Sequence, residues 1–500
     1  MRYLLSIIIS LLFASAIQYP NDVHDMDQVS VWYSSELLPE SQRWYSDPPP
    51  EDEIKFKLAN QPSLKWLPKD TPNDITFNIN PEKTFQSILG IGMSLESTSV
   101  YALWKNRNEA QVREMVRMFI DPDHGAGFNL FRICIGTSDF SDGRAISDHP
   151  QGYYSYQDKK EDVFSIKNDS TLKIIQTIQL IQEEAVKLNI SEDITFFASM
   201  WSPPPWMKTS NSLIGGTLIE GYEPVLAKYF RCFIEEYKKC RIPIHAITIQ
   251  NEPNFTPKTY PGMRLSPDQE RKIVEAAYEE FSKKDGEIHT SLWINDHNMN
   301  HWKNALKVLQ ELQKKSKLHY VNAVAFHNYN PMASPDNMSK LHEVFPMTDI
   351  QLTEHSEWGV KGMYNIQRYF VNWSRSYNYW VPMTTIRLDE HNQGPYNNIN
   401  SLSPTLVIEK GDNAPDFYLT PEFYMIGQFS KFIRPGAVRI ESTFGDVKGL
   451  TSIVFKNMDG TYVQVIVNQT SGEKTFSTVL SNRQFNGSVP SKSIGTFVWK

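Results

Sequence analysis

Eight short apolar runs, helix-like segments between them, and alternating strands at both ends predict a (β/α)8 TIM barrel with a β-sandwich domain built from both termini. The runs are residues 88–93, 129–135, 195–200, 246–250, 290–294, 321–326, 350–353 and 380–386. Each is short enough for a strand buried on both faces. Between them, apolar residues recur at helical spacing over 109–119, 171–188, 224–238, 267–281 and 360–373. Eight strand–helix alternations, joined by right-handed crossovers, close a parallel barrel.

The ends have another rhythm. Residues 17–80 are polar, with three prolines at 48–50 and strand candidates at 29–33 and 75–79. They are too few to form a domain alone. Residues 434–500 alternate as antiparallel strands do, and 451–455 and 461–467 flank a turn holding Asp459-Gly460. The organisation expected is therefore 1–16 signal peptide, 17–83 first part of the sandwich, 84–432 barrel, and 433–500 second part of the sandwich.

Residues 1–16 read as a secretory leader. Arg2 precedes an apolar run broken only by Ser6 and Ser10, and Ala14-Ser15-Ala16 offers a small-residue cleavage site. The run is too short to span a bilayer, and no later stretch reaches eighteen apolar residues. The expected location is secreted or lysosomal. Seven Asn-x-Ser/Thr sequons, at Asn168, Asn189, Asn254, Asn337, Asn372, Asn468 and Asn486, suit that compartment.

Composition narrows the function. The 500 residues carry a net charge of −7, with no basic run, which argues against a nucleic-acid partner. Hydrophobic residues are 40% and charged residues 21%, which excludes a disordered acidic chain. Twelve Trp and 23 Tyr supply flat apolar faces with polar edges, suited to sugars as well as to cores. Three Cys exclude a disulfide scaffold. Cys134 lies in an apolar run, and Cys232 and Cys240 are too far apart on one helix to bridge each other.

Barrel active sites lie at the C-terminal ends of the strands. The residues there are polar or aromatic. Asp139 comes after the second run, with Arg132 inside it; Trp201 and Trp206 come after the third, and Asn251-Glu252-Pro253 after the fourth. Asn295-Asp296-His297-Asn298 closes the fifth run, His327 and Tyr329 come after the sixth, and Glu354 after the seventh. Two glutamates across a barrel mouth are what glycoside hydrolysis needs. One carboxyl protonates the leaving oxygen, and the other attacks the anomeric carbon or activates water. Asn251 is placed to bind a sugar hydroxyl. Pro253 biases Glu252 towards an extended conformation. Arg132 reads equally as an ion pair with Asp139 or Glu354, Trp201 as core, and Asp296 as a helix cap or a support behind the site. Glu357, three residues beyond Glu354, is a rival nucleophile.

The chain resembles glycoside hydrolase family 30, the family of lysosomal glucosylceramidase. The resemblance rests on Phe131-Arg132-Ile133, Ser138-Asp139-Phe140, Trp201-Ser202-Pro203, Gln250-Asn251-Glu252-Pro253, His327-x-Tyr329 and Thr353-Glu354, and most closely on the stretch from Phe423 through Arg434-Pro435-Gly436. It implies a retaining mechanism with Glu252 as acid/base and Glu354 as nucleophile, without metal or organic cofactor. It places Arg132, Asp139, Trp201, Asn251, His327 and Tyr329 around the cleaved sugar. Glucosylceramide is the leading substrate it implies, within sphingolipid catabolism. The alternatives are a secreted β-1,6-glucanase, β-fucosidase, β-galactosidase or xylanase, and a non-catalytic carbohydrate-binding relative. The partner is a β-glycoside, glycolipid or glycan, with transient contact to a lipid surface left open. Glucosylceramidases carry a Trp-Asn pair late in strand eight. Here Thr384-Thr385-Ile386-Arg387 stands at that place, with Trp380 earlier, which removes one aromatic wall of the pocket. That departure, with residues 295–298 and Asn328, is closer to a microbial-type branch that cleaves other β-glycosides.

Overall fold

The computed structural model describes residues 27–37, 53–141, 152–283, 286–385, 394, 405–409 and 417–500. The expected leader at 1–16, the prolines at 48–50, and Ile386-Arg387 lie outside the described residues.

Eight parallel strands close a barrel: Gly90–Ser94, Leu130–Cys134, Thr195–Ser199, Ala246–Thr248, Ser291–Asn298, Ala323–His327, Asp349–Glu354 and Ser374–Tyr379. Seven coincide with the apolar runs. The eighth does not. The run at 380–386 instead supplies Met383–Thr385 to a separate three-stranded sheet with Val407–Glu409 and Phe417–Leu419. The true eighth strand reads SRSYNY and is polar to the eye. Most of its polar side chains enter the barrel wall with a partner, although Asn378 Oδ1 and Tyr379 Oη have no hydrogen bond. Ser374 Oγ accepts from the Leu352 N–H at 3.0 Å, Asn378 Nδ2 donates to the Leu130 carbonyl at 3.0 Å, and Arg375 pairs with Asp349.

The helices form where amphipathic spacing and caps agree. Pro267–Phe281 opens on a capping box in which Ser266 and Gln269 bond each other's backbone N–H, with proline in its first turn. Glu109–Ile120 opens on the same device, through Asn108 and Gln111. Helix Gly359–Val371 is capped from two sides: Glu422 accepts from the Gly359 N–H at 3.0 Å, and Glu36 from the Val360 N–H at 2.6 Å. Gly359 has φ of +63°, and a Cβ there would meet the Glu36 carboxylate at 2.4 Å, so the cap requires glycine.

Both ends of the chain build one ten-stranded sheet that folds over its own apolar core. Gln28–Ser35 pairs antiparallel with Ser493–Trp499, and Thr76–Ser87 lies between Val438–Ser442 and Lys474–Leu480. Val31, Trp66, Phe77, Phe476, Phe497 and Trp499 fill its interior. The sheet docks on the barrel through Trp32 against Phe432, with ring centroids 4.7 Å apart. Gln367 of the barrel donates to the Val465 carbonyl at 2.9 Å and accepts from Thr451 Oγ1 at 2.7 Å.

A cavity of about 760 Å³ opens at the N-terminal mouth of the barrel, between His245, Trp293, Gln351 and Arg375. It contains none of the residues that the sequence points to. All three cysteines are free. Among the described residues, no helix is long and apolar enough to cross a membrane.

Candidate active site

The carboxylates meet at the C-terminal mouth. Glu252 lies just past the fourth strand and Glu354 ends the seventh. His327, from the sixth strand, lies between them. Its Nδ1 is 3.3 Å from Glu252 Oε1 and 3.8 Å from Glu354 Oε1. Those two oxygens are thus within about 7 Å of each other, against separations of about 5–5.5 Å in retaining and about 6.5–9.5 Å in inverting enzymes.

Arg132 spans the floor, fully buried. It donates to Glu354 Oε2, to Asn251 Oδ1 at 2.8 Å, to Asp296 Oδ2 at 2.9 Å and to Ser199 Oγ at 2.9 Å. Of its two expected ion pairs, the one with Glu354 forms. Asp296 is a partner in its own right rather than a helix cap. It also accepts from Thr248 Oγ1 at 2.7 Å and Thr353 Oγ1 at 2.6 Å, and meets His327 Nε2 at 3.0 Å. Asp296 reaches the interior because its strand bulges. The pairing with the sixth strand slips between Ala325 and Phe326, and Asn295 and Asp296 take φ of +73° and +43°.

Glu252 also departs from expectation. Pro253 does not hold it extended; its φ is +48°. Its N–H donates to the Asp296 carbonyl at 2.9 Å, and its carbonyl accepts from the Phe255 N–H at 2.8 Å. These two bonds fix a conformation that costs a non-glycine residue on the order of 1–3 kcal/mol. Residues held in sparsely populated backbone conformations by surrounding bonds recur at functional sites.

Trp201 and Trp380 stack with centroids 5.1 Å apart, and both lie over the Arg132 guanidinium, at 4.7 and 5.6 Å. Trp380 comes directly after the eighth strand. The aromatic wall expected to be missing is therefore present; the misplaced strand hides it in the sequence. Val381, directly after Trp380, is buried with Cys134 and Phe140. Tyr329 hydrogen-bonds Glu354, and its ring meets His327 edge-on. Asp139 lies on the loop after the second strand, partly buried.

Burial and charge set the protonation. Burial pushes Asp139 well above the usual carboxyl range, with the Glu354 charge adding to it. Burial would lower His327, but the charges of Glu354 and Asp296 prevail and raise it to about 10. Burial would raise Glu252, but its contacts with His297 and His327 hold it below the ordinary range. His297 and His327 thus favour the Glu252 carboxylate, while the Glu354 and Asp296 charges favour a protonated His327. A histidinium against a carboxylate and a neutral histidine against a carboxylic acid hold the same proton count, so the pair titrates as a unit. His297, which the sequence places in the rim stretch 295–298 without a role, lies 3.5 Å from Glu252 Oε1 and stacks on His301 at 4.2 Å. Its place directly after Asp296 at a strand end is the available signal. Among the described residues, no group of His, Cys, Asp and Glu is arranged to hold a metal ion.

A (β/α)8 barrel with two facing carboxylates and a sandwich from both termini defines a class of barrel-type glycoside hydrolases. The family model described as the glycosyl hydrolase family 30 TIM-barrel domain matches residues 88–433, and that of the family 30 beta sandwich domain matches residues 436–497. The chain belongs to glycoside hydrolase family 30. It is 26% identical to the endo-1,6-beta-D-glucanase neg1 of Aspergillus fumigatus, over 83% of this chain and 85% of that protein. It is 24% identical to the lysosomal acid glucosylceramidase of Mus musculus, over 86% and 84%. Among solved structures, the endo-beta1,6-glucanase BT3312 superposes with a TM-score of 0.77 at 22% identity, covering 94% of this chain and 99% of that one.

Proposed function

We propose that the chain is a retaining β-glucosidase that cleaves β-1,6-linked glucan, with Glu354 as nucleophile and Glu252 as acid/base. The observation that carries this reading is His327 facing both carboxylates while Arg132 holds Glu354 from the other side. In the first step Glu354 attacks the anomeric carbon, and Glu252 passes the proton it shares with His327 to the leaving oxygen. In the second, Glu252 takes a proton from a water whose oxygen attacks the anomeric carbon, and the bond to Glu354 breaks to return its carboxylate. Arg132, Asp139, Trp201, Asn251, His327, Tyr329 and Trp380 line the subsite of the cleaved sugar.

Glucosylceramide is the second reading, favoured by the likeness to the mouse glucosylceramidase along most of both chains. The likeness to the Aspergillus fumigatus endo-1,6-beta-D-glucanase, 26% identical over 83% of this chain and 85% of that one, favours the glucan. The leader-like residues 1–16 support export. The test is hydrolysis of β-1,6-glucan, aryl β-glucosides, β-fucosides, β-galactosides, xylan and glucosylceramide in micelles, with the first-formed anomer followed by NMR. β-Anomer from β-1,6-glucan is the expected result. α-Anomer would overturn retention, and turnover of glucosylceramide alone would overturn the substrate.

A further inference from the structure

Glu357, the rival carboxylate of the sequence, stands behind the site wall. It accepts from Tyr369 Oη and from Asn365 Nδ2 at 3.1 Å, and its Oε1 lies 3.4 Å from His355 Nε2. It is 4% exposed, and these groups occupy both of its oxygens, so it presents none to a sugar.

His355, the residue after Glu354, is tethered at both backbone groups. Its N–H donates to the Asn378 carbonyl at 3.1 Å, and its carbonyl accepts from Tyr377 Oη at 2.9 Å. That tyrosine oxygen in turn accepts from the Glu357 N–H at 3.2 Å. The residues from 355 to 357 are thereby pinned to the eighth strand. The His355 ring meets the Tyr329 ring edge-on, with centroids 4.7 Å apart and planes at 67°. Tyr329 sits on a loop, 40% exposed, with its backbone N–H on Asn298 Oδ1 at 2.6 Å. Its hydroxyl reaches Glu354. A half-exposed ring on a loop has rotamer freedom to lose, and a rigid neighbour removes it in advance.

We infer that His355 and Glu357 are positioning residues: Glu357 fixes the His355 ring, and His355 holds the Tyr329 hydroxyl on the nucleophile. The inference rests on Glu354 being the nucleophile. Displacement of a reacting group by about 1 Å costs on the order of 10²-fold, so a brace of this kind acts on rate rather than on binding.

The test is a double-mutant cycle on the full chain, with the glycosylation rate and KM measured on an aryl β-glucoside. His355→Ala and Glu357→Gln should each slow glycosylation about 10-fold with KM changed less than about twofold. In a Tyr329→Phe background each should add less than about twofold. His355→Phe keeps the ring against Tyr329 but loses the contact with Glu357, so it should lose about as much rate as Glu357→Gln, and unchanged Tm and circular dichroism in these variants guard against a general folding defect. Equal losses in both backgrounds, or no loss in the parent, would overturn the brace. A 2-fluoro glycoside trap separates the two levels. A label on Glu354 without coupling sinks only the brace, while a label on Glu357 sinks the nucleophile assignment as well.

Discussion

At the scale of single residues, charge balance around Arg132 decides the outcome. Glu354→Gln should reduce turnover to background, because an amide cannot serve as the nucleophile. Glu252→Gln should lose about 10²–10⁴-fold on a natural glycoside. It should spare the first step on aryl glycosides with good leaving groups and accumulate a glycosyl-enzyme visible by mass spectrometry. Full steady-state activity of that variant on a glucan would refute the acid/base assignment. Asp296→Asn leaves a buried Arg132 and His327 short of one counter-charge. It should lower unfolding free energy by about 3–5 kcal/mol in chemical denaturation and bring the His327 titration down from about 10. The side chains that meet around Arg132 and Glu354, namely Glu252, Asn251, Trp201, His327 and Tyr329, are legible in the sequence because each lies at the end of, or just past, an apolar run. Asp296 reads there only as a cap or support. Its inward turn depends on a bulge and two left-handed residues, which no periodicity records.

At the scale of elements, the eighth strand shows where pattern reading stops. Ser374–Tyr379 carries little hydrophobic signal, and the apolar run after it is the stronger candidate by pattern. Side-chain hydrogen bonds to Leu352 and Leu130 make the polar strand a barrel strand, and those partners are distant in sequence. The helix at Gly359–Val371 offers a pH test. Burial raises Glu422 to about 7, although it accepts from the Gly359 N–H. A carboxyl raised on folding stabilises fully below its unfolded pKa, and this contribution fades as pH climbs through about 7. The difference from the ordinary 4.5 amounts to about 3 kcal/mol. Glu422→Gln should therefore lose less Tm than the parent between pH 5 and pH 8, at about the same ionic strength. Parallel Tm curves for the two proteins would remove Glu422 from the account.

At the scale of the whole molecule, the two ends of the chain are one structural unit, as the alternating termini suggest. Gln28–Ser35 has Ser493–Trp499 on one side and Ala59–Lys65 on the other, so neither terminal segment closes a sheet without its counterpart. The unit also completes the barrel. Glu36 caps the helix after the seventh strand, Gln367 of that helix bonds the Val465 carbonyl, and Trp32 covers Phe432. Removing residues 438–500 would strip the sandwich-core partners of Val29 and Val31 and the strand paired with residues 30–35. It would also uncover Phe370, which packs on Phe455. Each large apolar side chain returned to water costs about 1.5–3 kcal/mol, and three or four of them rival the net stability of a domain. The truncated chain should bind a hydrophobic dye, elute as aggregate in size-exclusion chromatography, and show no glycosidase activity. A soluble, active barrel lacking those residues would mean that the helix after Glu354 holds its place without the sandwich, and that the cap from Glu36 is dispensable.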